Sequence, residues 1–241
     1  YALAAAKEAI EHSGSLPYDP TRIGTIFGTG IGGLRTLEEQ VVVRVEKGER
    51  RVSPFLVPMM MSNASGAAIS MRYGFQGPAE TICTACAAAT HALGYAARLI
   101  AWGRCDAIVS GGAESAATVT AVAGFANMTA LSTTKVSKPF DATRDGFVFG
   151  EGSAVFVLER LDLAVARGAK ISRYSWNDSS LSFVGVGQIT GVMNQFGCAA
   201  SRAFHGHSSL KDTINTSSMT VSFRYTSPAC VIGRYTSCQM V

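Results

Sequence analysis

An α/β fold, with helices layered over a central sheet, is what the sequence predicts, and three observations predict it. Short runs of β-branched and apolar residues alternate with longer segments of helix formers. The helical segment Ala87 to Trp102 is apolar almost all round, a pattern that belongs in the middle of a protein. Of the 241 residues, 47% are hydrophobic and 16% charged, which is enough apolar material for a sizeable core and too much for a disordered chain.

The elements follow in order. Leu3 to Ile10 are strong helix formers, closed by Gly14. Arg22 to Gly28 read as a short buried strand. The small residues Gly28-Thr29-Gly30-Ile31-Gly32-Gly33 make a turn, and Leu34 to Val43 a helix. After Pro54 and Pro58 the segment Asn63 to Tyr73 is expected to be helical, and Glu80 to Ala85 to be a strand. The apolar helix Ala87 to Trp102 comes next, with Thr90, His91 and Arg98 as its strongly polar residues. Asp106 to Ser110 and Ser153 to Leu158 complete the strands.

Charge and cysteine usage exclude several classes. The net charge of +4 is too weak to argue for nucleic acid, and no basic run is interleaved with aromatics. No apolar run approaches the roughly 20 residues that a bilayer span needs, so no membrane partner is expected. Six cysteines are too sparse for a disulfide scaffold; only Cys83 and Cys86 are close, and no His or second Cys pair stands at zinc spacing around them. No metal and no cofactor is therefore expected, and a reducing, cytoplasmic setting is the default.

Texture changes near residue 170. Residues 171–241 contain Asp178 and Asp212 as their acids and no Glu, and they hold 13 serines against 11 in residues 1–170. Little of this is helix-forming material, and no period of 3.6 or 2 is sustained. The expected organisation is a domain over 1–170 and an unassigned tail over 171–241, a linker, a foreign segment or an altered reading frame.

One cysteine stands out chemically. Thr84-Ala85-Cys86-Ala87-Ala88-Ala89 places a thiol where a strand passes into a buried helix. Helix N-termini offer unpaired N–H donors and a partial positive charge, and both favour thiolate, the nucleophilic form. Small neighbours leave room for a carbonyl to approach the sulfur, and a backbone N–H at the turn could serve a developing oxyanion. A small apolar core residue is the competing reading of such a cysteine.

Thr84-Ala85-Cys86-Ala87, His91-Ala92-Leu93-Gly94 and Gly111-Gly112-Ala113-Glu114 together resemble the β-ketoacyl-[acyl carrier protein] synthases, above all the elongating type II enzymes of fatty-acid synthesis. The likeness runs through Gly28 to Gly33, Ser53-Pro54-Phe55, Gly77-Pro78, Ala130 to Thr133, Lys138 to Asp141, Arg144 to Val148 and Gly150-Glu151-Gly152, and ends at Ala166 to Lys170. It implies a thiolase-like αβαβα architecture, of which this chain carries mainly the N-terminal half. The chain opens Tyr1-Ala2-Leu3 in mid-pattern, so the family's opening strand and helix are expected to be absent. A homodimer is implied as well.

By the same resemblance Cys86 takes an acyl chain from acyl carrier protein as a thioester. Decarboxylated malonyl-carrier protein then attacks it to give a β-ketoacyl product two carbons longer. Ile31 and Phe125 match positions lining the acyl pocket, and Leu56 one that meets the pocket across the dimer interface; ordinary core packing is the alternative for all three. Arg50 and Arg51 lie where the family docks its acidic carrier, although most mixed charge clusters like Arg44 to Arg51 are solvated faces. The family's two catalytic histidines, in a His-Gly-Thr and a Gly-His segment, are not matched. His205 and His207 sit two residues apart without the surrounding pattern, and the family's second-half lysine and glycine-rich loop are not found either. Impaired condensation is therefore expected of this chain.

Other readings carry less. His12 reads as a solvated helix end. His91 lies about 140° round the helix from Cys86 and reads as a satisfied core histidine. Cys83-Thr84-Ala85-Cys86 has the spacing of a redox dithiol, but outside a compact βαβ unit. Gly28 to Gly33 superficially resembles a dinucleotide loop, yet the acid it needs would be Glu46 or Glu49, in a charged stretch rather than at a strand end. Asp141, Arg144, Asp145 and Glu151 read as a structural polar network beneath the active centre. Polyketide ketosynthases more often place Ser-Ser after the cysteine where this chain has Ala87-Ala88. A non-catalytic dimerisation partner is the reading from a different class.

Overall fold

The computed structural model describes residues 1–173 and 181–186. Helix α1, Ala2–Ser13, carries Ala2, Ala5, Ala6 and Ala9 at helical spacing, and all four are buried. Methyl side chains let this helix lie close on the sheet. Gly14 ends it at φ 79, with its N–H on the Ile10 carbonyl at 3.1 Å. Strand β1, Ile23–Gly28, is buried throughout. Helix α2, Leu34–Lys47, runs past the expected Val43 end, so Arg44 to Lys47 form its last turn; a tight 3₁₀ turn, Glu49–Arg51, follows.

Helix α3, Leu56–Met60, follows Pro54, contains Pro58 and was not expected. Pro58 is tolerated because it falls in the first turn, where backbone N–H groups have no intrahelical acceptor. Helix α4, Ala64–Tyr73, closes on Gly74 in the left-handed region. Strand β2, Ala79–Ile82, stops short of the expected Ala85, because the chain turns away before the cysteine. Helix α5, Ala88–Ala101, leads to strand β3, Ala107–Glu114. Helix α6, Val119–Asn127, was also unexpected; Thr118 caps it, accepting from the Ala121 N–H at 3.2 Å. Strand β4, Gly152–Arg160, and helix α7, Leu161–Ala166, precede β5, Ile171–Arg173, and β6, Leu181–Val186.

These strands form one six-stranded sheet in the order β2-β1-β3-β4-β6-β5. The β1 strand is parallel to both neighbours, while β4 and β6 run antiparallel to theirs. Thus the sheet continues into residues beyond 170, through a segment in which the sequence shows no sustained period. Alternation sorts the strand side chains. Ile26, Ile108, Phe156 and Leu158 face α5, whereas Phe27, Val109, Val155 and Val157 face α1 and α4. Three layers result, helix on sheet on helix.

Expectation and structure differ on α5. Only the face bearing Ala92, Leu93, Ala96, Ala97, Leu99 and Ile100 is buried; His91 and Arg98 are exposed, and Trp102, which follows the helix, is 65% exposed. Alanine-rich sequence looks apolar all round, but a sheet can cover one side of a helix only.

Two ionic clusters fasten the sheet. Glu159 is fully buried and takes both Arg167 Nε and Nη2 at 2.7 Å, plus the Tyr18 hydroxyl. Arg167 also donates to the Ser13 carbonyl at 2.9 Å, so one guanidinium joins β4 to the end of α1. Burial and the adjoining Glu159 carboxylate push the Tyr18 hydroxyl well above its ordinary range. Asp106 accepts from Arg22 Nε at 3.0 Å and Nη2 at 2.9 Å, with Arg160 Nη1 at 3.4 Å.

The Arg22 hydrogen bonds hold the Asp106 carboxyl below its ordinary range, against an opposing effect of partial burial. A depressed folded-state value means that the unfolded chain binds more protons in acid. The contribution is then complete at neutral pH and drains away as pH falls below about 4. Asp106→Asn is expected to lower Tm at pH 7 and to flatten the loss of Tm between about pH 4.5 and 2.5. Thermal melts of both proteins across that range check it; parallel curves refute the assignment.

Candidate active site

Cys86 stands in a 3₁₀ turn, Ala85–Ala87, wedged between β2 and the first turn of α5. The chain enters through Ala85 at φ 50, a left-handed conformation that costs a residue with a side chain about 1–2 kcal/mol. Closing the turn, the Ala87 N–H donates to the Thr84 carbonyl at 3.1 Å. The sulfur is half-buried and free. Cys83 is exposed and free, while burial pushes the thiol of Cys105 up, which suits a packing role.

What holds this turn is an unusually close approach of α5 to the sheet. A Cβ at Gly28, the last residue of β1, would meet Ala88 backbone atoms at 2.4 and 2.5 Å. One at Gly112, on β3, would meet the Ala89 Cβ at 2.6 Å. Both strand ends must be glycine for the helix to start here.

Beyond Gly28 the chain forms the Thr29 to Gly33 loop. Glu114, at the end of β3, accepts from the Thr29 hydroxyl at 3.2 Å and from the N–H groups of Gly30, Ile31 and Gly32 at 2.6, 3.0 and 3.3 Å. The site of a Gly30 Cβ lies 3.7 Å from Ala85 Cα, so the loop borders the cysteine turn. On its far side the Gly33 N–H donates to the Met60 carbonyl of α3 at 3.2 Å. The donors that would cradle a dinucleotide phosphate are thus taken by the protein's own carboxylate, and the structural-turn reading stands.

A half-buried free thiol thus stands on a left-handed turn, edged by a glycine loop and seated on glycines of β1 and β3. Comparison with known proteins gives the family. Residues 1–164 match the family described as beta-ketoacyl synthase, N-terminal domain. The chain belongs to the β-ketoacyl synthase family. It is 46% identical over 178 residues to 3-oxoacyl-[acyl-carrier-protein] synthase 2 of Vibrio cholerae, covering 71% of this chain and 43% of that protein. The mitochondrial 3-oxoacyl-[acyl-carrier-protein] synthase of Arabidopsis thaliana is 44% identical over 180 residues, covering 71% and 39%. Among solved structures, a type II polyketide synthase acyl-carrier protein in complex with its ketosynthase matches with TM-score 0.65 and 28% identity, over 70% of this chain and 44% of that one. A beta-ketoacyl synthase from Burkholderia phymatum matches with TM-score 0.62 and 32% identity, over 70% and 43%. The chain spans less than half the length of these relatives.

Within this synthase domain the other expected residues fall in four places. Ile31 rides on the loop beside Cys86, 43% exposed. Leu56 is half-buried at the start of α3, one turn from Met60, so the loop connects it to the cysteine turn. Phe125, on α6, packs edge-on against Phe147 at 5.1 Å and Phe149 at 5.4 Å in a cluster of its own. Arg50 and Arg51 are exposed in the turn after α2, and among the described residues neither forms a salt bridge.

Three expectations change. His91 is not a core histidine: it is exposed, with Nδ1 2.8 Å from the Thr84 hydroxyl, and so ties the cysteine turn to the helix behind it. The predicted acidic network is three separate clusters. Asp141 and Arg144 share an exposed turn, Asp145 gathers Ser132, Thr133 and Thr134, and Glu151 takes the Ala117 N–H at 3.0 Å beside Arg35. Ser132 and the Thr134 N–H hold the Asp145 carboxyl far below the ordinary range, in a role of loop-building. Glu114, quoted in the sequence only as part of a motif, proves to be the polar centre of the site; an acid two residues after a pair of strand glycines was the available signal.

The glycine seat gives a paired prediction. Gly28→Ala forces α5 off β1 and is expected to cost about 1–3 kcal/mol or more and to change the rate at which iodoacetamide labels Cys86. Gly94→Ala, with nothing within 4 Å of its Cβ, should instead stabilise α5 by about 0.5–1 kcal/mol and leave labelling unchanged. Melting curves and labelling rates of the two variants decide whether the seat positions the sulfur.

Proposed function

We propose that this chain carries the acyl-accepting site of a 3-oxoacyl-[acyl-carrier-protein] synthase of fatty-acid biosynthesis. The observation that carries the reading is Cys86, a free, half-buried thiol presented on the strained Ala85 turn over the glycine seat. The sulfur attacks the thioester carbonyl of an acyl-carrier protein; its new C–S bond replaces the carrier's, and the carrier leaves as the thiol with the proton that Cys86 gives up. In the second half-reaction malonyl-carrier protein loses CO₂, and its carbanion attacks the Cys86 thioester. A C–C bond forms, the sulfur leaves as thiolate, and the β-ketoacyl product departs on the carrier.

Ile31, Leu56 and Phe125 are assigned to the acyl path, a use that suits apolar side chains left half open. Family decarboxylation relies on two histidines whose pattern this sequence lacks, so the chain by itself is assigned acylation without efficient condensation. Phe55, Val57, Met59 and Met61 are exposed on and beside α3, apolar surface that supports pairing with a second copy. Fatty-acid rather than polyketide chemistry is favoured by Ala87-Ala88 after the cysteine and by 46% identity to the Vibrio protein against 28% to the polyketide ketosynthase.

Incubation with hexadecanoyl-carrier protein is expected to add one acyl group, mapped by mass spectrometry to Cys86 and absent from Cys86→Ala. Added malonyl-carrier protein should yield little β-ketoacyl product. An unmodified Cys86 in folded protein sinks the assignment, and brisk turnover sinks the impairment. Co-purification with an intact synthase, without acylation, would instead point to a dimerisation partner.

Arg50 and Arg51 are assigned to carrier docking, because two exposed guanidinium groups, without a salt bridge among the described residues, attract an acidic partner over about a Debye length. Reversing both charges with Arg50→Glu and Arg51→Glu should weaken carrier binding several-fold at about 20 mM salt and make little difference at about 500 mM. Titrations at the two salt levels test this; identical affinities at low salt rule it out.

A further inference from the structure

We propose that Glu114 is a positioning residue: its carboxylate clamps the Gly30 to Gly32 loop against the Cys86 turn and thereby sets which acyl chains reach the sulfur. The specificity part rests on the reading above that Ile31 lines the acyl path.

Three successive backbone N–H groups and one hydroxyl converge on this side chain, at 2.6 to 3.3 Å. Such a nest is a concavity of positive potential that ordinarily takes an anion. Here the anion is supplied from within, by a residue whose backbone is fixed in the β3–β4 ladder opposite Gly152. Gly112, which seats α5, belongs to the same strand two residues earlier. One strand end therefore holds both the helix that presents Cys86 and the loop that borders it.

The fit is tight from the loop's side too. A Cβ on Gly30 would stand 2.8 Å from Glu114 Oε2, and one on Gly32 would stand 3.0 Å from Ser62 Cα. Gly32 itself sits at φ 92. With Gly33 bonded to Met60, the loop backbone is held on both flanks, and the Ile31 side chain is its exposed part. Without the carboxylate, three N–H groups lose their acceptor together and the loop has no reason to keep its distance from Ala85.

The oxygens divide the work unevenly, which allows a discriminating substitution. Oε2 takes the two short bonds, from Gly30 and Ile31, while Oε1 takes the two long ones, from Thr29 and Gly32. A glutamine can keep its oxygen at the first position and face its amide toward the Thr29 hydroxyl, which can turn to accept; of the backbone bonds it gives up only the long one from Gly32. Clamping therefore survives Glu114→Gln and fails in Glu114→Ala, whereas a role resting on the negative charge fails in both.

The test uses the full chain and two readouts. Hydrogen exchange at the Gly30 and Ile31 amides, both bonded to Oε2, should quicken about tenfold or more in Glu114→Ala and stay near wild type in Glu114→Gln. Acylation of Cys86 by hexanoyl- and hexadecanoyl-carrier protein gives a long-to-short rate ratio, expected to shift about tenfold or more in Glu114→Ala and little in Glu114→Gln. Gly30→Ala, which crowds the carboxylate from the other side, should act like Glu114→Ala and serves if that variant does not fold. Unchanged exchange in Glu114→Ala and Gly30→Ala overturns the clamp. Faster exchange with an unchanged ratio overturns its part in specificity. A wild-type protein that takes neither acyl group refutes the acyl-path reading instead, and the exchange data still decide the clamp.

Discussion

Everything at the candidate site depends on how near α5 comes to the ends of β1 and β3. The approach is set by missing side chains: a single methyl at Gly28 would lie 2.4 Å from the Ala88 backbone. Parallel strands β1 and β3 pair Gly28 with Gly112, so the two glycines lie side by side and form one shallow seat. The first turn of α5 rests there, and its start fixes the height of Cys86 above the sheet. Because the helix begins so low, the connection from β2 has to turn sharply, and Ala85 takes up the left-handed conformation. Strain of this kind persists only where the surroundings over-determine it. Those surroundings are the seat below, the Glu114-held loop alongside and the Thr84–His91 bond behind.

Rigidity of the seat traces to the rest of the fold. The sheet presents apolar side chains to both helical layers, and residues such as Ile108 and Val157 are wholly excluded from water. The buried Glu159–Arg167 pair joins β4 to α1 across the same sheet. Burying such a pair gains little over apolar packing, but removing one partner costs about 3–5 kcal/mol. Its effect is directional: the guanidinium, gripped by two carboxylate bonds and a carbonyl, permits one placement of α1 against β4.

Legibility followed physical scale. Strands β1, β3 and β4 could be read because they are continuous apolar runs bounded by charge or glycine, and α5 because alanine and leucine leave it no other conformation. The boundaries were set by tertiary contacts and so were misplaced, as with β2, which stops where the cysteine turn begins. Helices α3 and α6 were hidden, one by a proline that lies harmlessly in the first turn, the other by a mixed Val, Thr and Gly composition that only a Thr118 cap and packing make helical. Of the site, Cys86 and the glycine loop were legible as residue types in a spacing. The left-handed Ala85 was not, since no glycine marks it, and His91 was placed inside because helix geometry says where a side chain starts and not which faces of the helix are covered.

The glycine loop shows why spacing alone cannot assign chemistry. A strand, a run of glycines and a helix are shared with loops that bind pyrophosphate, and the three converging N–H groups are the same donors such a loop would use. The difference is one side chain at the end of the neighbouring strand. With Glu114 in the nest, a phosphate would meet a filled site and a like charge at 2.6 to 3.3 Å from the N–H donors. The loop is thereby converted from a ligand cradle into a fixed wall beside the Cys86 turn. Backbone pattern supplies a positive concavity; the residue that fills it decides whether the concavity takes an anionic ligand or holds Ile31 beside the cysteine turn.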